Sequence, residues 1–454
     1  MIQAVRSAFA LPDLRKKILY TFLILAIYRL AAHVPVPGVN TGVLTDLFQQ
    51  NQLLGLLDLL SGGAMAQFSV MAMGVYPYIT ASIIIQLLTP IIPALDNLQK
   101  EGEQGRQKLN QYTWYITVPL AALQAYGQAV LMTQISGQPI LAQFGFRDAP
   151  LTTFAILSSM TAGTLFAVWL GELISEQGIG NGTSIIILGG IVTRLPNSLA
   201  GMIATDQWLA LMLFVIITTI TVFGIVIIQE GKLMIWVQYS SRTLGQRGGR
   251  LRQTRSVRTH IPLRVNMAGM IPLIFAQSIM VFPSTVASYF MAPVGQEPQN
   301  FVQSAAFWVD RIFNPQYNVY WPLYFLLVVG FTFFYTSVIF EQQNMAENLR
   351  KQGASIPGIR PGKRTEQFLT QKVRRITLVG AVFLGIVAVL PWLVDLFLSL
   401  IPGGAGGISG SSVMLISSTG LLIVVGVILD TMRQLEAQLQ MRDYDKFLRR
   451  GLLG

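Results

Sequence analysis

The chain has 454 residues, 52% of them hydrophobic and 12% charged, with a mean hydropathy of +0.54 and a net charge of +11. Length alone would suggest about three soluble domains, but this composition describes a polytopic membrane protein, in which length counts spans instead. No cysteine and only two histidines exclude disulfides, thiolate metal sites and cysteine nucleophiles, and leave little for imidazole chemistry.

The stretch MIQAVRSAFALPDLRKKILYTFLILAIY runs from a polar start into an apolar span with no small-residue cleavage pattern before it, so the first span is expected to stay attached. Runs of about 20 apolar residues, the length a helix needs to cross roughly 30 Å of hydrocarbon, lie near 18–34, 70–95, 112–133, 151–172 and 182–200. Five more lie near 208–229, 266–291, 319–340, 376–399 and 411–430. The pattern predicts an all-α fold of ten transmembrane helices with both termini on one side. The fifth run begins with the Gly-rich IGNGTS and the tenth with GISGSSVMLISSTG. For such openings, close helix packing through small residues and a pore-lining role are both open.

Between the first two runs, LLSGGAMAQF (Leu59 to Phe68) is too apolar for a solvated loop and too short to span a bilayer. Non-helical backbone in hydrocarbon is tolerated only where it is buried in protein or lines a water-filled cavity. The stretch therefore points to a cavity.

Charge orients the bundle. Of the 32 basic residues, 28 fall before the first run, in alternate loops, or after Asp430; the positive-inside rule makes that face, with both termini, cytoplasmic. Arg147, Arg194 and Arg311 belong to the opposite loops and Arg29 to the first run. The positive charge thus needs no nucleic acid to explain it, although a basic face also attracts anionic lipid or a ribosome. The two most basic segments, near 230–265 and 341–375, are long for connectors inside a bundle. In the second, PGIRPG fixes turns and presents Arg360 at a tip. Five runs per half would invert the second half relative to the first and place a pathway at their interface. The expected units are 1–200, 201–430 and a cytoplasmic tail over 431–454.

Arg29, Glu172 and Asp395 sit toward the ends of their runs, where side chains can snorkel. An ion-coupled transporter usually buries a carboxylate or histidine near the midplane, and none is convincingly placed. GGAMAQ lacks the lysine and glycine spacing of a phosphate loop. No enzymatic activity and no cofactor are expected. A secondary transporter on an inverted repeat and a poreless scaffold are the competing classes.

HVPVPGVN, LLSGGAMAQFSVMAMGVYPYITASIIIQLLTP, KEGEQGRQKLNQYT, WLGELISEQGIGNGTSIII, THIPLRVNMAGMIPLIFA, FFYTSVIF, ENLRKQGASIPGIRPGKRT and GLLIVVGVILD, taken together and in order, resemble the SecY family, central subunits of a protein-conducting channel. The resemblance covers the chain from the first span to the tenth. It implies two inverted halves of five helices around an hourglass pore that passes unfolded polypeptide and releases transmembrane segments sideways. It makes the segment from roughly Gly55 to Gln67, with Leu59, Leu60, Ser61, Gly62, Gly63, Ala64 and Met65, a movable plug; by its residues alone, a re-entrant segment that only packs between helices is equally open.

The same resemblance assigns a pore ring to Val75, Ile79, Thr183, Ile187, Ile274 and Ile423, with Thr183 standing where isoleucine is common. The Thr183 hydroxyl could face the pore or bond back one turn in its own helix. The second, third, seventh and eighth spans become a lateral gate. Gln86, Asn266 and Gln277 either clasp it, through bonds worth about 0.6 kcal/mol on average, or hydrate the pore. Arg252, Arg255, Arg258 and Arg360 fall on the surface that would dock the ribosome or the SecA motor ATPase. SecE and SecG are implied as membrane partners, signal sequences and nascent polypeptides as cargo, and a plasma membrane, or a thylakoid in a cyanobacterium, as the location.

Overall fold

A computed structural model of the chain describes residues 11–39, 64–65, 67–136, 141, 144–146, 149–204, 208–239, 257–288, 290, 300–315, 317–399 and 418–452. The helices run α1 (Pro12–Ala32), α2 (Tyr76–Leu88), α3 (Pro93–Lys100), α4 (Glu103–Ser136), α5 (Pro150–Gln177), α6 (Gly182–Ala204) and α7 (Trp208–Glu230). Strands β1 (Lys232–Tyr239) and β2 (Val257–Arg264) follow, then α8 (Ile271–Ser288), α9 (Phe301–Phe313), α10 (Tyr320–Gln342) and α11 (Met345–Lys351). A short strand β3 (Ala354–Ser355) precedes α12 (Lys363–Ala388), α13 (Leu390–Ser399) and α14 (Ser418–Leu452). Each of the ten apolar runs falls on helix, those near 70–95 and 376–399 on two helices each. Pro12, Pro93 and Pro150 open α1, α3 and α5, where a missing N–H costs nothing.

Among the described residues, three helical stretches suffice by length and composition to cross a membrane: Pro150–Gln177, Leu211–Glu230 and the one starting at Tyr320. Two bent pairs add to them, α2 with α3 at 99° and α12 with α13 at 59°. The sequence predicts one continuous helix over 70–95. Instead, α2 has 13 residues, about 20 Å of helix, and ends before Pro90 and Pro93, whose rings and missing donors block continuation.

The backbone before α2 is non-helical and buried: Ala64, Phe68, Ser69 and Ala72 have no exposed surface. Many of its polar groups are paired inside the protein. Ser69 N donates to Ala64 O (3.0 Å), Val70 N to Val34 O (3.0 Å), and Val36 N to Phe68 O (3.0 Å), so PVP after α1 and FSV before α2 form a short antiparallel bridge at Pro35 and Ser69. Helix α5 presses on this backbone. A Cβ at Gly163 would lie 2.0 Å from Val70 O, and one at Gly182 would lie 1.8 Å from Gly171 O, where α5 meets the start of α6.

The two halves meet through α8 on α2 and α4, and through α7 and α14 on α6. One apolar cluster spans both, containing Ile24, Val75, Ile187, Ile274 and Ile423.

The two long basic segments are more ordered than the turns read from the sequence. The first forms an antiparallel hairpin, Lys232 opposite Arg264 through Tyr239 opposite Val257, and the second adds β3 to the other edge of β1, giving the order β2-β1-β3. Ile235 and Val237 face inward while Met234 and Trp236 are exposed, the period of two of a half-buried strand. The inner face joins Phe340, Leu349, Ile356, Leu369 and Val373 in a separate cluster. Helix α12 starts at Lys363, inside the segment expected to be a loop.

These close approaches predict a paired result. Gly182→Ala and Gly163→Ala should each cost at least about 1–3 kcal/mol by overpacking. Gly330→Ala, in mid-α10 with nothing within 4 Å of the added Cβ, should be neutral or stabilise by up to about 1 kcal/mol through helix propensity. Thermal unfolding of the three purified variants against wild type measures the difference.

Candidate functional site

A cavity of about 510 Å³ lies between the halves. Its wall takes Ile79, Ser82 and Gln86 from α2, Glu172 from α5, Thr183 and Ile187 from α6, Ile274 from α8, and Asp430 and Arg433 from α14. Four of the six residues expected in a pore ring thus line one space. Val75 and Ile423 are buried beside it in the apolar cluster shared by both halves. Val75 is the residue preceding α2, and its carbonyl accepts the Ile79 N–H at 3.1 Å, so their one-turn relation holds at the first turn of the helix.

Thr183 lines the cavity, and its hydroxyl does not bond back one turn in its own helix. Its hydroxyl donates to Asn181 Oδ1 at 2.6 Å, and the same oxygen accepts Ser184 N–H at 3.2 Å. Asn181 thereby caps α6, satisfying one of the donors that a helix start leaves free. The Thr183 methyl is directed at Gly171. The polar opening IGNGTS is used for capping and close packing, and its hydroxyl is already engaged.

The expected polar clasp is absent among the described residues. Gln86 Nε2 donates to Ser82 Oγ one turn away in its own helix (3.0 Å), and Asn266 Nδ2 to Gly269 O (3.0 Å). Gln277 is buried with its side-chain oxygen unpaired by protein. Partners three or four residues away on the same backbone cost less ordering than partners on a moving helix. The link between α2 and α8 is made by Tyr76, whose hydroxyl donates to Ser278 O at 3.3 Å. Sequence reading passed over Tyr76, although an aromatic with a polar tip in an apolar run needs a partner.

Two charges expected to snorkel turn inward instead. Glu172 Oε1 accepts Trp114 Nε1 (2.8 Å) and Asn110 Nδ2 (3.4 Å), and Tyr78 Oη donates to Asn110 Oδ1 (3.0 Å). This network joins α2, α4 and α5 at the cavity wall. Arg29 Nη2 donates to Gly189 O (3.0 Å) and Gly190 O (3.2 Å), tying α1 to α6. On the opposite wall Arg433 binds Glu230 Oε1 (2.7 Å), Gln229 O (2.9 Å) and Asp430 Oδ1 (3.2 Å), joining α14 to α7.

Of the plug residues, Leu59 to Gly63 lie outside the described residues. Ala64 and Met65 are buried, and Gln128 Nε2 reaches Met65 Sδ at 3.5 Å beside a space of about 30 Å³. Arg252 and Arg255 also lie outside. Arg258 pairs with Gln238 on β2. Arg360 is exposed between Gly358 (φ +80°) and Gly362 (φ +108°), conformations that glycine adopts without strain. Its carbonyl accepts Thr365 Oγ1 at 3.0 Å, and the neighbouring Ile356 and Ile359 belong to the cluster beneath the sheet. The tip is therefore braced from below.

A family model described as SecY matches residues 69–432. The protein translocase subunit SecY of Halalkalibacterium halodurans is 39% identical over 466 residues, covering 99% of this chain and 100% of that protein. Among solved structures, one described as the plug domain of the SecY protein, stabilizing the closed state of the translocation channel and maintaining a membrane seal, aligns at a TM-score of 0.60 with 16% identity, covering 93% of this chain and 92% of that one. Sec61 in the canine ribosome-channel complex from the endoplasmic reticulum aligns at 0.58 with 14% identity and the same coverages. The ten apolar runs, the cavity between the halves and a 39% match along the whole length lead to one conclusion: this chain belongs to the SecY family of protein translocase subunits.

Proposed function

We propose that the cavity between the halves is the path by which this protein-conducting channel passes unfolded polypeptide, with Val75, Ile79, Thr183, Ile187, Ile274 and Ile423 forming its constriction. The observation that carries the reading is the convergence of Ile79, Ile187 and Ile274, from α2, α6 and α8, on a single cavity. Aliphatic side chains offer water no hydrogen bond, so a narrow ring of them closes by dewetting. They also yield around a passing chain without holding it at a polar site.

The segment from about Gly55 to Gln67 is then the plug, and α2, α4, α8 and α10 the gate through which transmembrane segments reach lipid. The Tyr76–Ser278 bond is the contact that must break for α2 and α8 to part. The basic sheet face and both termini belong on the cytoplasmic side of a plasma membrane. The chain carries no Walker pattern, and energy comes from partners: SecA or a ribosome on the sheet and the Arg360 turn, with SecE and SecG beside it in the membrane. The likeness to Sec61 in a ribosome-channel complex supports the docking face.

Two experiments test this. Ile274→Asp should raise resting ion conductance in planar bilayers, because a charge holds water in the constriction, whereas Thr183→Val should leave it unchanged, because the native hydroxyl is committed to Asn181. Wild-type conductance in Ile274→Asp protein with normal expression would remove Ile274 from the path. Arg360→Glu should strongly impair SecA-driven export in reconstituted vesicles while shifting stability by less than about 1 kcal/mol, the ordinary weight of an exposed charge. Full export by that variant would show that the turn does not couple to the motor.

A further inference from the structure

Helix α9 turns an apolar face away from the protein. It joins the ends of α8 and α10 at the end of the bundle opposite the sheet, since β2 leads into α8 and α10 leads out to β3. Its inward face carries Ala306 and Asp310, both buried. The Asp310 carboxylate accepts Ser284 Oγ of α8 at 2.8 Å and Asn314 Nδ2 at 3.3 and 3.2 Å, so the polar contact that holds α9 down is on the protein side. Its outward face is apolar. Phe301, Trp308 and Ile312, spaced seven and four residues apart on one stripe, are 87%, 60% and 37% exposed, and Val302 beside them is 56% exposed.

A helix facing water keeps its outward face polar. The exposed apolar surface also continues onto α8. Phe282 and Phe290, 42% and 53% exposed, line with Val302 and Val309 an apolar groove of about 410 Å³ between the two helices. Arg311 sits at the edge of the stripe, its guanidinium 5.5 Å from the Trp308 ring and 6.0 Å from the Tyr317 ring. A cation beside two amphipathic aromatics is the set of side chains that settles where hydrocarbon meets headgroups.

We infer that α9 is a membrane-interface anchor: it lies along the bilayer surface with Phe301, Val302, Trp308 and Ile312 among the upper acyl chains and Arg311 at the lipid phosphates, and it holds the far end of α8 at that depth. The partner is lipid, because the apolar stripe is continuous with the exposed flank of an adjoining bundle helix and its one cation is placed among aromatics.

The chain contains no cysteine, so single cysteines can be introduced at Phe301 and Ile312, labelled with an environment-sensitive fluorophore, and compared with Asn318→Cys in the exposed turn before α10. The full chain is reconstituted in vesicles of phosphatidylethanolamine and phosphatidylglycerol. Labels at 301 and 312 should emit at shorter wavelength than at 318, resist aqueous iodide, and be quenched by lipid carrying a spin label near the headgroup more than by lipid labelled at the chain end. Emission and iodide quenching equal to those at 318 would overturn the inference. So would blue-shifted emission that no spin-labelled lipid quenches, the signature of a protein covering the stripe. Val302→Cys, on the same exposed surface, repeats the measurement should either variant fail to accumulate.

Discussion

Backbone that leaves regular helix inside hydrocarbon must be hydrogen-bonded by the protein itself, since each unsatisfied peptide group there costs several kcal/mol. The segment from Ala64 to Val75 meets that constraint, and the arrangement around it follows. Its N–H and C=O groups pair with each other and with Val34 and Val36. Helix α5 can then lie directly on the backbone of Val70, which only a glycine at position 163 permits. With this segment seated, α2 starts late, at Tyr76, and carries Ile79 and Gln86 to the cavity.

The cavity wall shows how polar groups can border a channel without holding what passes. Gln86, Asn266 and Thr183 are each paired to a near neighbour in the chain, and Glu172 is paired to Trp114 and Asn110 across helices. Each polar atom engaged in this way has less to offer a polypeptide in transit. The inter-helix bonds fall in two groups. Arg29 and Arg433, both donating to backbone carbonyls, tie α1 to α6 and α14 to α7. Between α2 and α8 the hydrogen bond among the described residues is a neutral one at 3.3 Å, and a neutral bond contributes about half as much as one to a charged group. The halves are thus riveted internally and joined more weakly where the gate is proposed.

At the sheet end, a small separate core lies beneath the strands and the Arg360 turn. Ile235, Val237 and Leu263 of the hairpin pack on Leu349, Ile356 and Leu369, so the strands and the Arg360 turn share one apolar core. At the other end α9 is held by a buried carboxylate and turns its aromatics outward.

Sequence pattern was enough to place the apolar runs, the basic segments and the glycine- and proline-fixed turn that holds Arg360 at a tip. Each of these depends on composition over a helix length or on glycine and proline within a turn, information that is local in the chain. It overestimated the second helix because an apolar run does not show where the backbone turns, even with Pro90 and Pro93 at its end. Which partner each polar side chain takes was settled in three dimensions: Asn181 for Thr183, Ser82 for Gln86, Gly189 for Arg29, Ser278 for Tyr76. Hydrogen bonds act over about 3 Å, and which groups come that close is set by helix contacts as tight as Gly182 against Gly171, between residues whose approach no spacing in the sequence records.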